Sequence, residues 1–103
     1  MIQEQQAEEE KTLNKEQRKI LIAHMTDNLP TLRKKLNLSQ EELASLIGVS
    51  RSTMACIEGR KREMPWNTFL SLLLVFTKNK ETDKLLSVME IYTDELNDLI
   101  KNK

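Results

Sequence analysis

The chain has 103 residues, with 16 basic and 16 acidic side chains, and 39% of its residues are hydrophobic. This length suits one domain, and the low counts of glycine, proline and aromatic residues favour an all-helical fold. One cysteine excludes an intramolecular disulfide, no apolar run reaches the ~20 residues of a membrane span, and the acidic start lacks a signal-peptide core. We therefore expect a cytoplasmic protein that makes no membrane contact.

The first part of the chain predicts a tail followed by a helix. Residues 1–12 are rich in Glu and Gln, so we expect a disordered tail or a frayed helix there. Residues 13–28 form a candidate additional N-terminal helix with regularly spaced apolar positions. Asp27 and Asn28 are expected to interrupt this helix, and Pro30 fits only the first turn of a new one.

Two short helices joined by a tight turn follow. Ser39 is a suitable N-cap, and Glu42 three residues later completes a capping box. Gly48 is suited to end the first helix, because a helix C-terminus often needs a residue with positive φ. Ser50 is the expected N-cap of the second helix. The predicted helices cover residues 40–47 and 51–58.

The two helices have one apolar side each. Leu43, Ala44 and Ile47 give the first helix its stripe, and Met54 and Ile57 lie three apart on the second. The residues left on the outward side of the second helix are short, and polar at its start. They are Arg51, Ser52, Ala55 and Cys56. Such a surface can enter a DNA groove.

This pattern resembles the helix-turn-helix of the phage-repressor and Cro family. The matching motifs are Leu-Ser-Gln-Glu-Glu-Leu-Ala at 38–44, Gly-Val-Ser-Arg at 48–51 and Ile-Glu-Gly at 57–59. The similarity extends over roughly residues 29–76, and we place a helix-turn-helix DNA-binding domain at 29–77. Its second helix is expected to lie in the major groove of DNA.

The resemblance also implies roles for individual residues. It places Gln40, Arg51, Ser52, Thr53 and Cys56 toward DNA. Arg51 and Ser52, with Cys56 next, are the expected base-reading residues, and Arg51 is the best candidate for bidentate recognition of guanine. The expected phosphate contacts are Gln40, Ser50, Thr53, Lys61 and Arg62.

Lys61 and Arg62 are assigned to phosphate more by charge and position than by the resemblance. Arg33 and Glu58 match a structural ion pair of the family. Gly59 and Arg60 depart from the family, in which many members have Asn-Gly, so the local turn is expected to differ.

The charge distribution agrees with this location of the DNA-binding surface. Residues 29–64 hold seven basic and four acidic side chains, whereas residues 1–28 and 65–103 each carry net negative charge. Chance segregation in a charged helical protein is the alternative explanation. Similarly, Arg60 to Arg62 could be only a solvated loop, and Cys56 only a small tolerated residue.

The C-terminal part predicts a buried helix at 66–77 and a helical extension at 78–103. Apolar residues of the extension follow a heptad-like spacing of 4, 3, 4 and 3. They are Leu85, Met89, Tyr92, Leu96 and Leu99. The start of this seam is expected to pack on the chain's own core. Leu96, Leu99 and Ile100 fit a homodimer contact or the same core.

No sequence motif indicates an enzyme, a cofactor or a metal site. His24 has no companion ligand nearby, and Trp66 fits the edge of a core. We therefore expect an all-α, repressor-like protein with one added N-terminal helix and one or two C-terminal helices. It would bind double-stranded DNA sequence-specifically as a dimeric transcriptional regulator. A DNA-binding antitoxin with a protein partner, and a protein-interaction module that has lost DNA binding, are the alternatives.

Overall fold

The computed structural model describes residues 13–101, and in this part of the chain the secondary structure elements are all helices, without strands. We number its six helices in chain order. They are α1 (Lys15–Lys35), α2 (Gln40–Ile47), α3 (Arg51–Glu58), α4 (Trp66–Lys78), α5 (Lys80–Leu86) and α6 (Asp94–Lys101). The expected tail at 1–12 lies outside the described residues. The predicted all-α class is confirmed.

Helix α1 is continuous where the sequence predicted two helices. The expected interruption at Asp27 and Asn28 is wrong, and Pro30 lies inside the helix. Apolar positions continue in register past the proline, and Met25, Leu29 and Leu32 are all fully buried. Burying three such side chains contributes roughly 1.5–3 kcal/mol each. Burial along this one continuous face opposes the ~3 kcal/mol cost of an interior proline.

One hydrophobic core joins the helix-turn-helix region to its neighbours. Its centre is built from fully buried side chains of α1 to α4, including Leu43, Met54, Ile57, Phe69 and Phe76. Helix α1 packs against α3, α4 and α5, and α2 packs against α3 and α4. The short helices α2 and α3 are therefore held by tertiary packing, because eight residues are too few for an independently stable helix.

The C-terminal extension folds back onto this core instead of forming one continuous seam. Helix α5 ends at Leu86, and the chain turns through Glu90, a residue with φ +58°. The carbonyl of Glu90 accepts a hydrogen bond of 2.8 Å from Nδ1 of His24, which fastens the turn to α1. The predicted heptad spacing therefore crosses a turn, so it does not describe a coiled-coil helix.

Leu96 belongs to the monomer core. Its side chain is fully buried, so of the two alternatives Leu96 packs on the chain's own core and is not accessible for the expected subunit contact. Leu99 is half-buried against the same core, and Ile100 is 47% exposed. Of the three residues predicted for dimerisation, Ile100 presents the largest accessible apolar surface.

Candidate nucleic-acid interface

Three capping interactions set the two ends of α2 and the start of α3. The Ser39 hydroxyl accepts a bond from the Glu42 backbone N–H at 3.0 Å, and the Glu42 carboxylate accepts one from the Ser39 N–H at 2.8 Å. Gly48 adopts φ +83°, and a side chain at that φ would be strained. Ser50 caps α3 through the N–H of Thr53 at 3.0 Å. These caps fix where α3 begins, as the sequence predicted.

A buried ion pair orients α3 against α1. Arg33 donates from Nε to Oε2 of Glu58 at 2.7 Å, and from Nη2 to Oε1 at 3.2 Å. The two side chains are only 13% and 6% exposed. A third Arg33 nitrogen, Nη1, donates to the carbonyl of Leu38 at 2.9 Å. The Arg33 and Glu58 that the sequence paired are thus in contact, and their geometry is bidentate.

Gln40 joins this network from the first turn of α2. Its Nε2 donates to Oε1 of Glu58 at 2.9 Å, and its side chain is half-buried. The amide therefore connects α2 to the end of α3 as well as lying at the predicted phosphate position. Sequence reasoning missed this contact, because only the folded arrangement brings residues 18 positions apart together.

The outward side of α3 carries the predicted base-reading residues. Arg51, Ser52 and Ala55 are exposed, while Cys56 is half-buried. Met54 and Ile57 on the opposite side are fully buried in the core. The helix thus presents a guanidinium and a hydroxyl at its N-terminal end, with small side chains behind them. This is a narrow surface with donors for base edges.

Ser50, Thr53 and Arg62 meet at the start of α3. The Ser50 hydroxyl donates to Oγ1 of Thr53 at 2.9 Å, and Nη1 of Arg62 lies 3.5 Å from the same oxygen. Arg62 therefore reaches back from the loop after α3 to the N-terminus of the helix. The N–H groups and the dipole of that terminus favour an anion, and a guanidinium beside them adds to this preference.

The cations of the predicted basic loop, residues 60–62, do not share one surface. Arg60 turns toward α1 and pairs with Asp27, while Lys61 and Arg62 are exposed. Arg60 is therefore not part of the α3 surface. Sequence reasoning did not find the Asp27 contact, and no local signal indicates it, because the two residues lie 33 positions apart.

Arg60 also explains the departure from the family at the end of α3. It adopts φ +63°, whereas Gly59 has φ −81°. The N–H groups of Arg60 and Lys61 bond to the carbonyls of Ile57 and Cys56 at 3.1 and 2.9 Å, which is the Schellman pattern. The left-handed position is thus occupied by arginine, and the glycine stands one residue earlier.

Comparison with known proteins agrees with this geometry. The family model described as helix-turn-helix matches residues 31–54, which span the end of α1, all of α2 and the first half of α3. The matched residues are thus similar to a helix-turn-helix, in agreement with the capped helices α2 and α3. No curated protein and no solved structure matched the chain.

Two further features are absent from the described residues. Residues 13–101 contain no group of three His, Cys, Asp or Glu side chains placed to hold a metal ion. None of the six helices has both the length and the apolar character required to cross a membrane. The match to a helix-turn-helix suggests a DNA-binding regulator.

Proposed function

We propose that the chain is a transcriptional regulator that binds double-stranded DNA sequence-specifically, with α3 in the major groove. The observation that carries the proposal is the outward surface of α3, where Arg51 and Ser52 are exposed at the N-terminal end of the helix. The buried Arg33–Glu58 pair holds that helix at a fixed angle. A rigid helix with accessible donors can read base edges, and a loosely held one cannot.

Within this proposal, base reading and phosphate binding are assigned to different residues. Arg51, Ser52 and Cys56 face the base edges. A second group of residues would bind the phosphates on either side of the DNA major groove. These residues are Gln40, Ser50, Thr53, Lys61 and Arg62. Hydrogen bonds from backbone-contacting groups fix the register of the protein on DNA, and base contacts supply specificity.

The test is a selection of random-sequence DNA duplexes by the purified full chain. We expect one family of related sites to be enriched, with affinity falling as salt rises because phosphate contacts release counterions. Titration of the selected duplex against a shuffled duplex of the same composition gives the discrimination. Absence of enrichment, together with no binding to random duplex at low salt, would refute DNA binding.

We also propose that the regulator acts as a homodimer, because one helix-turn-helix reads only a few base pairs and two read half-sites ~34 Å apart. Since Leu96 is buried, the contact would involve Ile100, beside the half-buried Leu99. Ile100→Glu should then lower the dimer fraction in sedimentation while leaving helix content unchanged. An unaltered dimer in this variant would place the interface elsewhere.

A protein partner is favoured by one specific observation on α4. Leu70 and Leu74, one turn apart, are 39% and 60% exposed on the side facing away from the core. This apolar pair suits a second protein, as the antitoxin alternative or a module that has lost DNA binding would require. Leu74→Glu tests this surface: it should leave operator binding unchanged, and it should abolish binding of a protein partner only if α4 carries that contact.

A further inference from the structure

A groove lies between α1 and the loop that follows α3. Its volume is about 280 Å³, and its lining combines apolar and charged side chains. Ile22, Ala23 and Met64 form the apolar part, and Met64 and Ile22 also reach the core. The charged part comprises three cations, Lys19, Arg60 and Arg62, and one anion, Glu63. Because Arg60 is paired with Asp27, Lys19 and Arg62 against Glu63 leave the groove with a small net positive charge.

The groove shares a residue with the DNA-binding surface. Arg62 lines the groove, and its Nη1 lies 3.5 Å from Oγ1 of Thr53 at the start of α3. An anionic group bound in the groove would neutralise or redirect Arg62. It would thereby weaken the phosphate contact proposed for that residue.

The chain contains an acidic segment of suitable length immediately before α1. Residues 1–12 carry four glutamates, Glu4 and Glu8 to Glu10, against one lysine. Glu8 precedes Leu13 by five positions, so in an extended chain it can lie up to roughly 17 Å from Leu13. Lys19 lies six residues beyond Leu13, which is about 9 Å along a helix axis. Glu8 to Glu10 are therefore within reach of Lys19, one of the cations that line the groove.

We propose that the acidic segment 1–12 binds in this groove and competes with DNA for Arg62. The inference rests on the proposed function and adds an intramolecular regulator to it. The negative charge of the segment complements the groove, and its attachment to α1 raises its local concentration there. A cationic partner that captured the acidic segment would release Arg62 for DNA.

The first test measures the contact itself, without DNA. A nitroxide spin label is attached to the full chain at Gln5→Cys, with Cys56→Ser removing the native thiol, and relaxation of backbone amides is recorded by NMR. We expect strong broadening at Ala23 and Met64. The broadening should fall when Glu8→Gln, Glu9→Gln and Glu10→Gln are added, or at high salt. Equal broadening with and without the three glutamates would overturn the proposal, whether or not the protein binds DNA.

The second test measures competition. The triple Glu8→Gln/Glu9→Gln/Glu10→Gln chain should bind its selected duplex roughly fivefold more tightly, the factor expected if the segment occupies the groove four-fifths of the time. The matched control, Glu81→Gln/Asp83→Asn/Asp98→Asn, changes the net charge equally at exposed positions outside the groove. An equal gain in DNA affinity in both variants would show that the gain comes from net charge alone, and it would overturn the proposal.

The third arm identifies Arg62 as the shared residue. Arg62→Gln should weaken DNA binding by itself, and it should remove most of the gain that the three glutamine substitutions give. If the gain persists in full with Arg62→Gln, competition through Arg62 is refuted. Loss of DNA binding in every chain, with the NMR contact intact, would instead refute the proposed function alone.

Discussion

The helix-turn-helix and the C-terminal extension contrast in how directly sequence determines structure. In the helix-turn-helix, Ser39, Gly48 and Ser50 set the helix ends through local hydrogen bonds and one left-handed residue. In the extension, the regular apolar spacing is divided by the turn at Glu90, and Leu96 enters the core. Capping acts within three or four residues, whereas burial depends on where the chain is carried by its turns. The two regions therefore differ in which substitutions will be costly.

The largest effect is expected at the end of the extension. Leu96→Ala should lower the free energy of unfolding by about 2–5 kcal/mol, because it leaves a cavity in a fully packed core. Ile100→Ala, four residues later and 47% exposed, should cost about 0.5 kcal/mol. Urea unfolding at low micromolar protein measures both. Equal costs for the two variants would contradict the burial of Leu96 in the monomer.

The next effect tests the link between α1 and α3. Glu58→Ala should destabilise the fold by about 3 kcal/mol, because it leaves the Arg33 guanidinium buried without its carboxylate. Glu42→Ala is the matched control. It removes an exposed carboxylate that caps α2, and it should cost about 1 kcal/mol. A Glu58→Ala chain as stable as the Glu42→Ala chain would show that the pair contributes little.

Sequence reasoning recovered the features that depend on neighbouring residues. It placed α2 and α3 at their observed bounds, and it paired Arg33 with Glu58 through a family resemblance. It interrupted α1 at Asp27 and Asn28 and placed Pro30 in the first turn of a new helix, because local propensity carries no information on the buried stripe that continues past the proline. It also left open whether Leu96 faces the core, since spacing alone does not say which surface an apolar face covers.

In the candidate site, too, local features could be predicted from the sequence and contacts between distant residues could not. The exposure of Arg51 and Ser52 follows from helical periodicity once the buried positions Met54 and Ile57 are known. Helical periodicity does not indicate the partners of Gln40 and Arg60. Glu58 lies 18 residues from Gln40, and Asp27 lies 33 residues from Arg60. Only the folded structure therefore separates Arg60 from the other cations of its loop.

A third prediction compares two cations within the DNA-binding region. Arg51→Ala should reduce discrimination between the selected and shuffled duplexes by about 1–3 kcal/mol, because it removes the proposed base contact. Lys61→Ala should weaken binding to both duplexes alike and lower the salt dependence. Fluorescence anisotropy at several salt concentrations measures both effects. If Arg51→Ala weakens the two duplexes equally, base reading belongs to another residue.

The smallest effect concerns the turn that ends α3. Arg60 occupies the left-handed region, which costs a residue with a Cβ roughly 1–2 kcal/mol, so Arg60→Gly relieves strain in the folded state. The gain is reduced by the greater freedom of glycine in the unfolded chain and by loss of the exposed pair with Asp27, a class of contact worth about 0–1 kcal/mol.

We expect Arg60→Gly to raise the free energy of unfolding by about 0.5 kcal/mol. Asp27→Asn, measured beside it, isolates the ion pair because it leaves the backbone of the turn unchanged. Thermal unfolding of the unsubstituted chain and the two variants at low and high salt separates the ion pair from the backbone strain. Salt screens the ion pair and does not change the φ of residue 60. A destabilised Arg60→Gly chain, with Asp27→Asn unaffected, would mean that the arginine stabilises this turn through contacts other than Asp27.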